Sequence, residues 1–80
     1  MKNNAHINAR LGDLFRSLDA REHVNIFKKT DDGKEEIVRS NKLYRLLADN
    51  ELIGNPAIYN ARVIGLTVTF GVTSILIKEA

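Results

Sequence analysis

The hydrophobic pattern of this chain changes period along its length, and the last third carries the strongest signal. Residues 63–77 contain no charged side chain and are rich in Val, Ile and Thr, which favour β-strands. Apolar side chains recur at every second position of residues 64–70, which is the period of a strand with one buried face. The run is also shorter than the roughly 20 residues that a membrane-spanning helix needs. The pattern therefore predicts a closing β-hairpin and no membrane span.

The loop of this closing hairpin decides which side chains share a face, because a register slip of one residue exchanges the two faces. A loop with an even number of residues buries more apolar surface than an odd one. Two even loops fit, residues 70–71 or residues 69–72, and we expect the longer because a two-residue turn would place Phe70 at a positive φ angle. The core-facing set is then Ile64, Leu66, Val68, Ile75 and Ile77. The opposite face presents Val63, Thr67, Val72 and Leu76.

A second hairpin is predicted earlier in the chain, from residues 22–29 and 34–39, which are joined by the turn signal Asp32-Gly33. A three-residue loop with Gly33 in the left-handed region sets its register. The resulting cross-strand pairs are Ile26 with Val38, Phe27 with Ile37, Lys28 with Glu36, and Lys29 with Glu35. Two of these pairs join opposite charges, which favours this register.

Helical spacing of apolar residues occurs in two further segments. Residues 5–18 are predicted to form an amphipathic helix that follows a flexible leader, residues 1–4. A short helix is predicted from a cap at Ser40 or Asn41 through Asn50. The expected core contains Leu14, Leu18, Val24, Ile26, Leu43, Leu47, Leu66, Val68 and Ile75. The sequence thus predicts one small α+β domain over residues 1–80, in the order α-β-β-α-β-β, with two antiparallel hairpins packed against two short helices.

The composition and motifs of the chain exclude several kinds of catalytic and metal-binding site. The 80 residues include no cysteine, which excludes disulfide scaffolds, cysteine nucleophiles and cysteine zinc sites. The two histidines, His6 and His23, have no second ligand at metal-binding spacing, and no serine lies in a nucleophile-elbow motif. We therefore expect no catalytic residue, metal, cofactor or small-molecule substrate, and predict that the protein is not an enzyme. Residues 1–8 lack the apolar core of a signal peptide, which predicts a cytoplasmic location.

The charge pattern leaves nucleic-acid binding as an alternative. Six basic residues lie close in sequence with aromatic residues among them: Lys28, Lys29, Lys34, Arg39, Lys42 and Arg45. Basic side chains interleaved with aromatic rings can hold phosphates and stack on bases. The net charge is only +2, however, which is short of the basic stripe that a committed binder carries. Acidic residues in the same stretch favour an ordinary solvated hairpin face.

A resemblance is carried by the order of short hydrophobic motifs. These are Val24-x-Ile26, Asp32-Gly33, Leu43 with Leu46-Leu47, residues 63–68, and Ile75-Leu76-Ile77. In this succession, over residues 10–79, the chain resembles small uncharacterised accessory proteins of bacterial phages, prophages and conjugative elements. The resemblance implies an accessory protein of a mobile element and transfers no functional residue.

The leading hypothesis for function is a non-enzymatic protein that binds a host or element-encoded protein, and inhibition of a defence component is one form of this. A solvated strand face normally carries charge, so the uncharged face of the closing hairpin is either covered by the first helix or offered to a partner. We favour the partner and take this face as the predicted partner-binding surface. Its residues are Val63, Thr67, Val72 and Leu76. A second copy of the chain is one candidate partner, which would make the protein a dimer. The alternatives are a weak nucleic-acid-binding module built on residues 28–45 and a homo-oligomeric structural component.

Overall fold

The computed structural model of the chain describes residues 9–78. These residues form an α+β fold in which four strands build one mixed sheet and short helices pack against it. The elements are α1 (Leu11–Phe15), β1 (His23–Lys29), β2 (Glu35–Lys42), α2 (Leu43–Leu47), α3 (Asn50–Ile53), α4 (Pro56–Tyr59), β3 (Arg62–Thr69) and β4 (Val72–Lys78). The predicted class is confirmed, whereas the described residues contain four short helices in place of the two that were predicted.

The sheet joins the two predicted hairpins side by side, in the strand order β2-β1-β4-β3. Both hairpins are antiparallel, and the parallel pairing of β1 with β4 connects them at the centre of the sheet. Val24 and Ile26 of β1 lie beside Thr73 and Ile75 of β4, so these alternate positions present one continuous buried surface. The outer strands β2 and β3 are the two edges of the sheet.

The buried core lies between this surface and the helices. It contains Leu11, Phe15, Val24, Ile26, Leu43, Leu46, Leu52, Ile58, Ala61, Val63, Ile75 and Ile77. Among the predicted core residues, Val24, Ile26, Leu43 and Ile75 are confirmed as buried. Leu14, Leu18 and Leu66 are partly buried and pack against the same cluster. The helical layer and one face of the sheet therefore supply the core together.

Two residues that were predicted to be buried are exposed. Leu47 is 46% exposed, because it is the last residue of the short helix α2 and only Leu43 and Leu46 of that helix are buried. Val68 is 63% exposed, because it lies in the edge strand β3 close to the turn. The prediction of a core position is wrong for both residues.

The β1–β2 hairpin has the predicted loop and most of the predicted register. Gly33 has a φ angle of +85°, which is the left-handed conformation that the three-residue loop requires. The confirmed pairs are Phe27 with Ile37, Lys28 with Glu36, and Lys29 with Glu35. A β-bulge next to Phe27 then sets Ile26 opposite Arg39, so the predicted pairing of Ile26 with Val38 is wrong.

Strand β2 is longer than predicted, and this removes the predicted helix caps. Pairing continues to His23 and Lys42, so Ser40 and Asn41 are strand residues and Lys42 is the residue before α2. The backbone N–H of Leu43 donates to the carbonyl oxygen of Glu22 at 2.9 Å. The first turn of α2 is therefore held by the chain that precedes β1 instead of by a side-chain cap.

The closing hairpin has an even loop, as predicted, but the shorter of the two. Thr69 pairs with Val72, so the turn consists of Phe70 and Gly71, whose φ angles are +50° and +78°. The prediction of a loop over residues 69–72 is wrong, because strand pairing extends to the turn. Phe70 accepts a left-handed conformation that is costly for an aromatic residue, and its side chain is 100% exposed.

A β-bulge in β3 decides which of its side chains reach the core. Val63 pairs with Ile77 and Gly65 pairs with Leu76, which leaves Ile64 as the extra residue. Because one extra residue shifts the alternation of faces, Val63 points toward the helices and is only 1% exposed. The predicted placement of Val63 on the opposite face of the hairpin is therefore wrong.

Helix α1 covers a shorter stretch than the predicted helix over residues 5–18. The predicted leader, residues 1–4, and the first part of the predicted helix, residues 5–8 with His6, lie outside the described residues. A Cβ atom on Gly12 would come within 2.6 Å of the Tyr59 ring, so a glycine allows α1 to approach α4 this closely. The same ring meets Phe15 edge-on, with 5.9 Å between the ring centroids.

An ion pair ties the sheet edge to helix α3. The Nε of Arg39 in β2 donates to the Oδ2 of Asp49 at 2.8 Å, and its Nη2 lies 3.6 Å from the Oε1 of Glu51. The Oδ1 of Asp49 accepts the N–H groups of Glu51 and Leu52, and so caps α3. The hydrogen bond from Arg39 lowers the pKa of the Asp49 carboxyl from its ordinary value. One carboxylate thus holds both a strand and a helix.

We expect Asp49→Asn to lower the melting temperature at neutral pH. Asparagine retains the capping oxygen, so the loss reports the charge contact with Arg39. Because the folded-state pKa of Asp49 is lowered, its contribution is complete above the unfolded pKa of about 3.9 and is lost as pH falls through the folded value. The difference between variant and wild type should therefore shrink in acid, measured by thermal unfolding at several pH values. A constant difference down to strongly acidic pH would contradict this, and Asp31→Asn in the β1–β2 loop is the control for charge removal alone.

We expect Phe70→Asn to stabilise the isolated fold by about 1 kcal/mol, because asparagine followed by Gly71 suits a turn with two positive φ angles. The fully exposed ring gives up no burial in this variant. Chemical denaturation under dilute conditions measures the change. Phe70→Leu is the control, since it keeps an apolar side chain that is equally disfavoured at positive φ. A Phe70→Asn variant less stable than Phe70→Leu would show that the turn does not limit stability.

Candidate functional site

The sheet has a second face, which we call the helix-free face. Its residues alternate along each strand with the core residues. Phe27 of β1 and Leu76 of β4 lie on this face, and the strand pairing shows which residues of the other strands lie beside them. Among residues 9–78, no helix contributes a residue to this side of the sheet, because every buried helical side chain belongs to the single core cluster. The candidate functional site is this face.

An apolar row crosses the helix-free face. Ile37, Phe27, Leu76 and Gly65 are direct neighbours on β2, β1, β4 and β3 in turn. Phe27 and Leu76 lie on the two central strands and are only partly buried, while Ile37 is 59% exposed. Gly65 has no side chain, so an open hollow of about 220 Å³ lies there, bordered by Phe27 and Leu76 among others. The row therefore ends in a recess beside two apolar side chains.

A row of cations lies next to the apolar row, two residues further along β1 and β4. We call Lys29, Lys78 and Arg62 the cationic row. Arg62 pairs directly with Lys78, and Lys29 follows Lys28, which pairs with Ile77. Like charges in direct cross-strand register destabilise a sheet, so this row is electrostatically costly without an opposite charge. Glu35, which pairs with Lys29, supplies one carboxylate at the β2 end.

The cationic row borders an open cleft of about 670 Å³ at this end of the sheet. Its lining consists of Lys28, Lys29, Thr30, Asp31, Gly33, Arg62, Ile64 and Lys78. The extra residue of the β3 bulge, Ile64, provides its apolar wall. The sequence alone did not bring Arg62 and Lys78 together with Lys29, because the contact depends on the parallel pairing of β1 with β4.

A polar row lies on the other side of the apolar row. It is formed by Ser40, Asn25, Ser74 and Thr67. The Nε2 of His23 lies 2.9 Å from the Oγ of Ser40, and that hydroxyl donates to the Oδ1 of Asn25 at 2.5 Å. Which of the two atoms donates in the contact between His23 and Ser40 depends on the tautomer of the imidazole. His23, Ser40 and Asn25 therefore form one hydrogen-bonded group of side chains.

The predicted partner-binding residues are divided by the structure. Thr67, Val72 and Leu76 lie on the helix-free face, as the loop parity predicted, and Thr67 is exposed. Val63 lies in the core, as described above. Sequence reasoning missed Phe27 and Ile37 as members of the same surface, although their alternation with Ile26 and Val38 was visible in the sequence.

The basic residues of the predicted nucleic-acid stretch do not form one surface. Lys29 lies at the loop end of the β1–β2 hairpin, while Lys42 pairs with His23 at the other end. At about 3.3 Å per residue, these two ends are roughly 20 Å apart. Lys28 follows the opposite alternation from Lys29, and Lys34 belongs to the exposed loop.

The two arginines of that stretch are engaged with neighbouring side chains. Arg39 is paired with Asp49, and Arg45 lies over the ring of Tyr44 at 5.6 Å from its centroid. The Nε of Arg45 donates to the Tyr44 hydroxyl at 3.3 Å, and this contact lowers the pKa of Tyr44. Of the six predicted residues, only Lys29 belongs to the cationic row.

Comparison of the chain with protein-family models, with curated proteins and with solved structures finds no match. Within residues 9–78, no cluster of three or more His, Cys, Asp or Glu side chains is arranged to hold a metal ion. In the same part of the chain, no helix has the length and apolar character needed to cross a membrane. The geometry of the helix-free face is therefore the observation on which a functional proposal has to stand.

Proposed function

We propose that this protein acts by binding a polypeptide segment on the helix-free face of its sheet, without catalysis. The observation that carries the proposal is the direct adjacency of the apolar row and the cationic row on a face that the described helices leave open. The fitting segment has apolar side chains that contact Phe27 and Leu76, together with carboxylates that reach the cationic row.

The apolar row supports a protein partner because its hydrophobic side chains are in contact with water, and a bound partner would remove them from water. Ile37 is 59% exposed, and its neighbours Phe27 and Leu76 are only partly covered. Contiguous exposed apolar surface with a polar border is typical of an interaction site. Here the border consists of the polar row on one side and the cationic row on the other.

The cationic row supports an acidic partner because it concentrates like charge in register. Arg62 and Lys78 are direct cross-strand neighbours, and an incoming carboxylate would relieve their repulsion. Opposite charges across an interface favour the correct partner and its orientation more than they raise affinity. The charges therefore select an acidic segment, and contact with the apolar row supplies most of the binding energy.

Selection from a peptide-display library on the immobilised protein tests this proposal. We expect enriched peptides to combine two or more apolar residues with Asp or Glu, and a synthetic peptide of that kind to bind in a fluorescence titration. Leu76→Lys should weaken binding by about tenfold or more, because the new charge would be desolvated in the apolar row. Circular dichroism checks that the variant is folded.

Two further variants make this test specific. Leu47→Lys makes the same change on α2, at a position that is 46% exposed in the helical layer, and should leave peptide binding unchanged. Thr67→Lys adds a charge at an exposed position of the helix-free face, so it tests the face if Leu76→Lys fails to fold. Failure to enrich any peptide, or equal weakening by Leu47→Lys and Thr67→Lys, would refute the proposal.

A second candidate function is supported by Phe27, which lies beside the cationic row. An accessible aromatic ring next to phosphate-binding cations is the basic unit of a single-stranded nucleic-acid surface, and Phe27 is partly exposed. If this candidate is correct, a single-stranded oligonucleotide will bind with a steep salt dependence, and Arg62→Gln will reduce the slope of log affinity against log salt by about one. Peptide binding that persists as salt rises, with no oligonucleotide binding, would reject it.

The biological setting stays a prediction from the resemblance. We propose that the partner is a host or element-encoded protein and that the chain serves as an accessory protein of a phage or other mobile element in the cytoplasm. Inhibition of a defence component is one activity that needs only a binding surface of this kind. Genes for phage or conjugation functions next to the coding sequence would support this setting.

A further inference from the structure

The β-bulge at Ile64 sets the position of Arg62 as well as that of Val63. Because the bulge adds one residue to β3, Arg62 comes opposite Lys78. In a regular ladder Val63 would take that position, and Arg62 would turn toward the core. The bulge therefore places a second cation beside Lys78, where an apolar side chain would otherwise lie. Bulges next to functional sites redirect side chains in this way.

The run of basic residues continues past β3 at the edge of the sheet. Arg10 pairs with Arg62 in an antiparallel bridge, and the Nη1 of Arg10 donates to the carbonyl oxygen of Asn60 at 2.7 Å. Lys78 and Lys29 follow on β4 and β1, so four neighbouring chain segments each contribute one cation. Cross-strand neighbours of like charge repel, so a bound anion would stabilise this arrangement.

The carboxylates of the protein leave most of this charge uncompensated. Within residues 9–78, the side chains of Lys29, Arg62 and Lys78 make no ion pair. Glu35 is the cross-strand neighbour of Lys29, and Asp31 lines the cleft, so both acidic groups lie at the β1–β2 end. Arg62 and Lys78 lie on the strands further from that loop. We therefore expect an anion to bind at the end of the cleft formed by Arg62 and Lys78.

The number and kind of donors favour a phosphate group over a carboxylate. A carboxylate brings one negative charge and two acceptor oxygens, whereas a phosphorylated side chain brings about two charges and three strong acceptor oxygens. An arginine guanidinium binds phosphate through two parallel N–H···O bonds, and lysine ammonium groups add point charges. The cationic row offers one arginine and two lysines around an open cleft of about 670 Å³.

We propose that this cleft binds the phosphate of a phosphorylated serine or threonine in the peptide segment that occupies the helix-free face. The inference rests on the proposed function and names the chemistry of the acidic group. The cationic row lies two residues along β1 and β4 from the apolar row, a distance of about 6.6 Å. One short segment can therefore place an apolar side chain on Leu76 and a phosphate between Arg62 and Lys78.

The distribution of charge on the face favours a peptide over a nucleic-acid strand. A nucleic-acid strand carries a phosphate on every nucleotide, so its binding groove supplies positive charge along the backbone. Here the cationic row lies on one side of the apolar row, and the polar row on the other side contains no charged residue. The face therefore matches a ligand that combines one phosphate with apolar side chains.

Fluorescence titration of two matched peptides on the full chain tests the proposal. One is the display-selected peptide, and the other has phosphoserine in place of its Asp or Glu. We expect the phosphopeptide to bind the wild type about tenfold more tightly. Arg62→Gln should reduce this advantage to about twofold or less, and Arg62→Lys should keep part of it because the charge remains. Arg45→Gln removes an exposed arginine of α2 and is the matched control, which should keep the full advantage.

The outcomes separate this proposal from the proposed function. If the selected peptide binds and phosphoserine adds no affinity, the phosphate site is overturned and the peptide-binding function stands. Equal loss of the advantage in Arg45→Gln and Arg62→Gln would have the same meaning. If the library enriches no peptide, both proposals fall. Tighter binding of a single-stranded oligonucleotide than of the phosphopeptide would overturn the phosphopeptide in favour of nucleic acid.

NMR titration of the free protein with inorganic phosphate gives a second readout of the cleft. At constant ionic strength, the amides of Lys29, Gly33 and Lys78 should shift in the wild type and in Arg45→Gln, but much less in Arg62→Gln. The same spectra show whether each variant is folded, and Lys78→Gln replaces Arg62→Gln if that variant is not. Absence of phosphate-dependent shifts at the cleft of the wild type would overturn the proposal.

Discussion

The parallel pairing of β1 with β4 is the contact on which the rest of this structure depends. It joins two hairpins that would each be marginal alone, since an isolated two-stranded hairpin has too little apolar surface to be stable in water. It also brings Val24 and Ile26 beside Thr73 and Ile75, which completes the surface that the helices cover. On the opposite face, the same pairing places Phe27 beside Leu76 and brings Lys29 level with Lys78. Core and candidate site are therefore two sides of one strand pairing.

How far the sequence could predict this fold depended on how local each signal was. The loop at Gly33, the pairs from Phe27 to Lys29 and the even loop of the closing hairpin were all predictable, because turn chemistry and alternation act over a few residues. The two β-bulges were not predictable, because the composition of a strand does not show which residue will be the extra, unpaired one. The bulge at Ile64 reversed the predicted face of Val63, although the residues after it kept their predicted faces.

The candidate site was harder to predict than the fold, for the same physical reason. Thr67, Val72 and Leu76 were found because they share one hairpin, whose alternation can be read directly. The cationic row was missed because Lys29, Arg62 and Lys78 come from three strands. The bulged β3–β4 ladder pairs Arg62 with Lys78, and only the parallel pairing of β1 with β4 brings Lys29 beside them. Residues 28–45 contain many basic side chains in sequence. In the structure, strand pairing places the two ends of this stretch far apart, and Arg39 forms an ion pair with Asp49. Proximity in sequence was a poor guide to a shared surface.

The parallel contact also has a consequence for the order of folding. Each hairpin closes over a few residues, whereas β1 and β4 are separated by β2, three helices and β3, so their pairing requires closure of a long loop. Hairpin formation is therefore expected first, followed by a slower docking step that sets the overall rate. Until docking occurs, β1 and β4 are both open edges of separate hairpins, and β4 of one chain can pair with β1 of a neighbour. A high concentration of newly made chains therefore favours the exchange of hairpins between chains. The same strand contact that completes the core creates this risk.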